Sequence, residues 1–232
     1  MEVIPVINCP DFKCVKKRLK KIRKLGSAWA HIDVADGIFT RVITWHRPED
    51  LIRYKKRFSP AAFLGRLFGR KNTSPEINLE IHLMVQNPES VLDGWLKTGA
   101  KRVVIHTEAV ADGWVRIMDK CGEYKAELMA ALAPEAPVQD LILLLGRYSI
   151  RGAQVLAVPP GPAGQKFNPK ILEKIAALKK EAPDVKIEVD GGINPETARL
   201  AKAAGADIVT SSAYIWRSFN HAKAFEKLKS VQ

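Results

Sequence analysis

Cysteine is scarce: the 232 residues contain 3. Cys9, Cys14 and Cys121 form no CxxC pair, which excludes a disulfide-stapled miniature scaffold and any zinc-finger spacing. So sparse and odd a set is expected as reduced thiols in a cytoplasm. No apolar run approaches the roughly 20 residues that cross a bilayer, so no transmembrane segment is expected. The start, Met1-Glu2-Val3-Ile4-Pro5, lacks the basic opening and apolar core of a secretory leader. Glycine is too rare for a collagen-like chain, at 15 residues, and 47% hydrophobic content is too high for a disordered one. Acid is also in short supply. Asp+Glu 25 against Lys+Arg 37 leaves a net charge of +12, which favours anionic partners such as phosphorylated metabolites.

What the chain does have is alternation. Short apolar runs at 3–7, 28–33, 79–84, 102–106, 125–132, 154–158, 186–189 and 207–211 read as strands. Between and after them lie amphipathic stretches at 12–25, from 48, at 88–98, 113–120, 138–145, 169–181, 195–204 and 220–231. Within the first helix Val15, Leu19 and Ile22 recur at helical spacing, and Gly26 ends it. Asn194 caps the seventh, with Pro195 in its first turn. Eight strand–helix units in one chain of this length predict a single-domain (β/α)8 TIM barrel over residues 1–232. An open doubly wound sheet is the competing architecture, but no GxGxxG follows the first strand.

Barrel chemistry is done at the carboxyl ends of the strands, and polar residues cluster there. His31 and Asp33, two apart on the second strand, share a face. His82 lies on the third strand, and Asp190 ends the seventh just before Gly191-Gly192. A lone strand histidine is usually a hydrogen-bonded core residue, and an Asp before Gly-Gly usually a turn. Two His and two Asp at three strand ends together suit one divalent ion, Zn, Fe, Mn or Co rather than Ca. Gly161 and Gly164 after strand six, Gly191 and Gly192 after strand seven, and Ser211 and Ser212 after strand eight fit a phosphate.

These stretches, read as His31–Gly37, EIHLMV at 80–85, PGPAGQKF at 160–167, KIEVDGGIN at 186–194 and Ser212-Ala213, resemble the ribulose-phosphate 3-epimerase family. The resemblance implies a metal-dependent barrel that epimerises carbon 3 of a ketopentose 5-phosphate, D-ribulose 5-phosphate to D-xylulose 5-phosphate. It implies His31, Asp33, His82 and Asp190 as ligands of one divalent ion, and Asp33 and Asp190 as the acid–base pair. Met84 joins the substrate contacts. The pattern departs from the family at Ile4, Val6, Ala35, Val42 and Ala133. Two alternatives therefore stand beside it, a hexulose 6-phosphate epimerase and a non-catalytic barrel that serves as a basic binding module.

The gap between Asp33 and His82 is longer than the resemblance requires. The extra residues, about 53–74, carry Arg53, Lys55, Lys56, Arg57, Arg66, Arg70 and Lys71 with Phe58, Phe63 and Phe68, and read as a basic amphipathic helix. The first helix carries Lys13, Lys16, Lys17, Arg18, Lys20, Lys21, Arg23 and Lys24. A solvated face, or packing in a homo-oligomer, accounts for such runs; an anionic partner at the joint surface is the alternative.

Overall fold

The computed structural model describes residues 1–57 and 76–231. Its strands are β1 (Glu2–Ile7), β2 (Trp29–Ala35), β3 (Asn78–Met84), β4 (Arg102–His106), β5 (Glu127–Leu132), β6 (Gly152–Leu156), β7 (Lys186–Asp190) and β8 (Ile208–Ser211). Each pairs in parallel with the next, and β8 pairs with β1, so the sheet closes into the expected barrel. The helices are α1 (Phe12–Leu25), α2 (Pro48–Arg57), α3 (Pro88–Leu96), α4 (Trp114–Glu123), α5 (Val138–Tyr148), α6 (Ile171–Glu181), α7 (Pro195–Ala204), α8 (Ala213–Trp216) and α9 (His221–Lys229). None is long and apolar enough to cross a membrane.

Local chemistry sets where the helices begin and end. The Asp11 carboxylate accepts a hydrogen bond from the Cys14 amide at 2.8 Å and caps α1. Gly26 ends it in the left-handed region at φ 71°. Asn87 caps α3, and Asn194 and Thr197 form a reciprocal capping box on α7. α1 buries the stripe Val15, Leu19 and Ile22 on the barrel and leaves its lysines outside.

Along the strands, side chains alternate between two destinations. Ile32, Val34, Ile81, Leu83, Val103, Ile105, Val155 and Val189 belong to the apolar layer shared with the helices. The barrel interior is split. On one side Val104, Met129, Ala131 and Leu156 form a small apolar cluster of their own. On the other, His31, Glu80, His82, Arg102 and Glu188 are fully or almost fully buried. Charged groups are rarely so deep unless they are paired, and these are.

One expectation needs correction. Cys9 and Cys14 are joined in a disulfide, their Cα atoms 5.7 Å apart, so only buried Cys121 is a free thiol. The start of α1 folds Cys14 back toward the end of β1, which a spacing count cannot show. Of the basic amphipathic helix expected within about 53–74, residues 53–57 are the end of α2, and the rest of that stretch lies outside the described residues. Phe12 and Tyr54 meet edge to face at 5.9 Å, so α1 and α2 are neighbours.

Candidate active site

Strand register builds the site. His31 and Asp33 point inward from β2, and Asp33 stands directly beside His82 of β3. Asp190 ends β7 on the far side of the mouth, beside Thr210 of β8. One donor atom from each of His31, Asp33, His82 and Asp190 lies within 4.8 Å of the others. His31 Nε2 is 3.0 Å from Asp33 Oδ1 and 3.3 Å from His82 Nδ1. Asp190 Oδ2 is 3.9 Å from His82 Nδ1.

Each imidazole has its other nitrogen occupied. His31 Nδ1 meets Glu80 Oε1 at 2.6 Å, and His82 Nε2 meets His106 Nε2 at 2.9 Å. With a proton on His31 Nδ1 and another on His82 Nε2 both of these bonds are satisfied, so that a cation displacing the protons which link His31 Nε2 and His82 Nδ1 to Asp33 would meet two lone pairs beside the carboxylates. This is the arrangement a metal-ligating histidine needs, with the outer bond fixing the tautomer.

The carboxylates are held in the same way. Asn8 Nδ2 donates to Asp33 Oδ2 at 2.9 Å, and the Thr210 hydroxyl donates to Asp190 Oδ1. Each aspartate thus keeps one oxygen tied by a neutral donor and presents the other to the histidines.

The site's electrostatics favour positive charge at its centre. Burial lowers the pKa of His31, but hydrogen bonds to Asp33 and Glu80 and their charges outweigh it and hold it well above the usual imidazole value. A pocket that stabilises a proton there offers the same field to a divalent cation, and two His and two Asp are an N/O set suited to Zn, Fe, Mn or Co. The residues therefore fit such an ion. Burial would raise Asp33, yet hydrogen bonds from His31 and His82 hold it well below the carboxylate range. Asp190 moves the other way, raised by burial and then by the charge of Asp33. Burial brings His106 down to about 4, so it stays neutral beside His82.

Beneath lies a polar floor that the sequence reading passed over as plain strand. Arg102 donates to Glu80 at 2.6 Å and to Glu127 at 2.8 Å. Its guanidinium also lies over the Trp29 ring, 4.3 Å from the centroid. Gln154 donates to Glu188 at 2.7 Å. Burial, then the charge of Glu80, pushes Glu188 well above the carboxylate range. The available signal was the face: Glu80 and Arg102 sit two residues before His82 and Val104 and point the same way.

A cavity of about 570 Å³ opens over the cluster, with Asp33 and Asp190 in its wall. Met84, Gly161, Gly164, Gly191, Gly192 and Ser212 line it. Gly192, at φ +66°, has no room for a side chain, since a Cβ would fall 2.5 Å from the Phe167 nitrogen. Ser211 is a correction: its hydroxyl is buried and donates to the Ile193 carbonyl at 3.1 Å, so it faces away from the cavity. Val6 and Asn8 also line the wall. Asn8 was missed because it sits alone after β1, in no motif, and only the closed barrel brings it to Asp33.

A closed (β/α)8 barrel with paired acids and histidines at the carboxyl ends of its strands, beneath a glycine-lined cavity, defines a class: single-barrel enzymes whose chemistry is done at the strand tips. The particular family follows from comparison with known proteins. The sequence pattern of the Ribulose-phosphate 3 epimerase family matches residues 65–216, and the chain belongs to that family, one of isomerases. It is 31% identical over 225 residues to ribulose-phosphate 3-epimerase of Chlamydia muridarum, covering 93% of this chain and 88% of the relative. It is 28% identical over 235 residues to the cytoplasmic isoform of Oryza sativa subsp. japonica, covering 100% of this chain and 94% of the relative. Among solved structures, 3-hexulose-6-phosphate synthase from Salmonella typhimurium superposes with a TM-score of 0.70 at 14% identity, covering 100% of this chain and 98% of that one. That likeness concerns the fold.

Proposed function

We propose that this chain catalyses the metal-dependent epimerisation of D-ribulose 5-phosphate to D-xylulose 5-phosphate at carbon 3. The observation that carries this is the pair Asp33 and Asp190. They come from strands on different sides of the mouth, and both face one cavity and one donor cluster. Epimerisation needs that arrangement. One carboxylate takes the proton from carbon 3, the C–H electron pair moves into the bond between carbons 2 and 3, and the carbonyl π pair moves onto the oxygen of carbon 2. The other carboxylate returns a proton to the opposite face of the resulting enediolate. Asn8 and Thr210 fix which oxygen of each carboxylate is free to do so. His31, Asp33, His82 and Asp190 would hold a divalent cation, which would supply positive charge against the enediolate oxygens. The glycine turns at 191–192 and 161–164 and Ser212 would receive the phosphate. The relatives named above as ribulose-phosphate 3-epimerases support this substrate.

The test is solvent deuterium wash-in at carbon 3 of D-ribulose 5-phosphate, run beside elemental analysis of the same sample. One divalent ion per chain and deuterium in both epimers are expected. Asp33→Asn should lower turnover by about 10²–10⁴-fold without changing the melting temperature greatly. An unlabelled sugar from metal-replete protein would sink the proposal. A higher kcat/KM on a hexulose 6-phosphate would move the substrate instead, a comparison made pertinent by the apolar wall at Val6.

A further inference from the structure

The cavity presents a charge problem. Its acidic lining groups are Asp33 and Asp190, and a sugar phosphate brings about two more negative charges at neutral pH. Among the described residues, one lysine or arginine lines the cavity to oppose them: Arg217, at the end of α8.

Its surroundings are specific. Trp216, its neighbour in sequence, donates its indole N–H to the Val6 carbonyl at 2.6 Å, and Ile215 is fully buried. The backbone that carries Arg217 is therefore anchored to the barrel. The side chain itself is exposed and makes neither an ion pair nor a side-chain hydrogen bond among the described residues. Its guanidinium instead lies close against Gly164 of the loop after β6. A Cβ on Gly164 would fall 2.7 Å from Nη2 and 3.1 Å from Cζ. That loop is stiffened by Gln165, whose amide donates to the carbonyls of Pro159 and Pro162 at 2.9 and 3.1 Å. Gly164, at φ +93°, is a position where a side chain would be strained and would also evict the guanidinium.

We infer that Arg217 is a phosphate-binding residue of this enzyme: it bridges the loops after β6 and β8 and donates to the phosphate of the substrate held by the glycine turns. The inference rests on the phosphosugar reading above and adds to it a side-chain cation beyond the backbone amides. A planar, permanently charged fork suits phosphate oxygens. With no acid to neutralise it in the free protein, Arg217 gives up no ion pair when the ligand arrives. A guanidinium keeps its protons throughout the working pH range, so it contributes to binding and not to proton transfer.

The experiment uses full-length, metal-loaded protein with Arg217→Met and Arg217→Lys. Two constants are measured: KM for D-ribulose 5-phosphate, and the dissociation constant of inorganic phosphate by calorimetry. Losing a charge-assisted hydrogen bond should raise both by roughly tenfold to a hundredfold in Arg217→Met. The lysine variant should recover part of the loss, while kcat and bound metal stay near wild type. Equal constants in wild type and Arg217→Met overturn the inference, as does a fall in kcat with KM unmoved. If the wild type fails to epimerise the sugar at all, the proposed reaction falls. The phosphate titration then still decides Arg217: weaker phosphate binding in the methionine variant upholds its role, and equal binding rejects it.

Discussion

Glu80 does not line the cavity, yet it governs two groups that matter to it. Its Oε1 accepts a hydrogen bond from His31 Nδ1 at 2.6 Å and its Oε2 one from Arg102 at the same distance. Burial raises its pKa, but His31 and Arg102 more than reverse this and hold it at about 2, so it is a carboxylate throughout the working range. Glu80→Gln keeps the shape and removes the charge. His31 then becomes a poorer ligand, and metal affinity should fall by about 10- to 100-fold, read by competition with a chromophoric chelator at pH 7. Undiminished affinity would show that His31 is oriented by something else. Arg102→Met acts through the same pair in the opposite sense. It strands a buried Glu80 charge, and removing one partner of such a pair typically costs about 3–5 kcal/mol, which denaturant melts should reveal as a large loss of stability.

At the scale of elements, the strand ends show what a sequence makes legible. α1, β4 and α7 occupy their expected residues because caps and turns mark them: Asp11 and Gly26 for α1, Asn194 and Gly205 for α7. β6 lies two residues earlier than its apolar run suggested, because Ala157 and Val158 continue that run beyond the ladder, where Ala157 still donates to the Asp190 carbonyl at 2.7 Å. The His31 and Asp33 pair was legible from a spacing of two. Their meeting with His82 and Asp190 depends on register between strands, which no single stretch encodes. Asn8, Arg217 and the short α8 were invisible for the same reason, having neither motif nor period. The disulfide is the sharpest of these cases, and it ties the end of β1 to the first turn of α1 across a sequence separation of 5. For so short a loop the chain-entropy model gives about 2 kcal/mol. Reduction, or Cys14→Ser, should therefore lower the melting temperature by several degrees. Thiol titration of the denatured, unreduced protein should find Cys121 alone. Three titratable thiols before reduction would mean the bond does not form in the isolated protein.

Taken whole, the molecule carries +12 while its cavity carries two carboxylates, so local and global fields oppose each other at the mouth. α1 supplies Lys13, Lys16, Lys17, Arg18, Lys20, Lys21, Arg23 and Lys24 without an acid between them. None of the eight forms an ion pair among the described residues, although Arg18 lies over the Trp216 ring, 4.2 Å from its centroid. The crowding is felt nearby: burial, then the charges of Arg18 and Lys17, lowers the Lys21 pKa, and burial, then Lys21 and Arg18, lowers that of His221. A field built from many dispersed charges attracts a phosphorylated substrate at long range and is screened by salt, whose Debye length is about 8 Å at physiological ionic strength. A short-range contact such as that of Arg217 is screened much less. The two contributions therefore separate by salt dependence. The kcat/KM of the wild type should drop several-fold between low and physiological sodium chloride, at constant bound metal. Arg217→Met should start lower and decline with nearly the same slope. A flat or rising wild-type profile would show that α1 contributes nothing to substrate capture, and a slope abolished in the variant would place the whole attraction at the cavity rim.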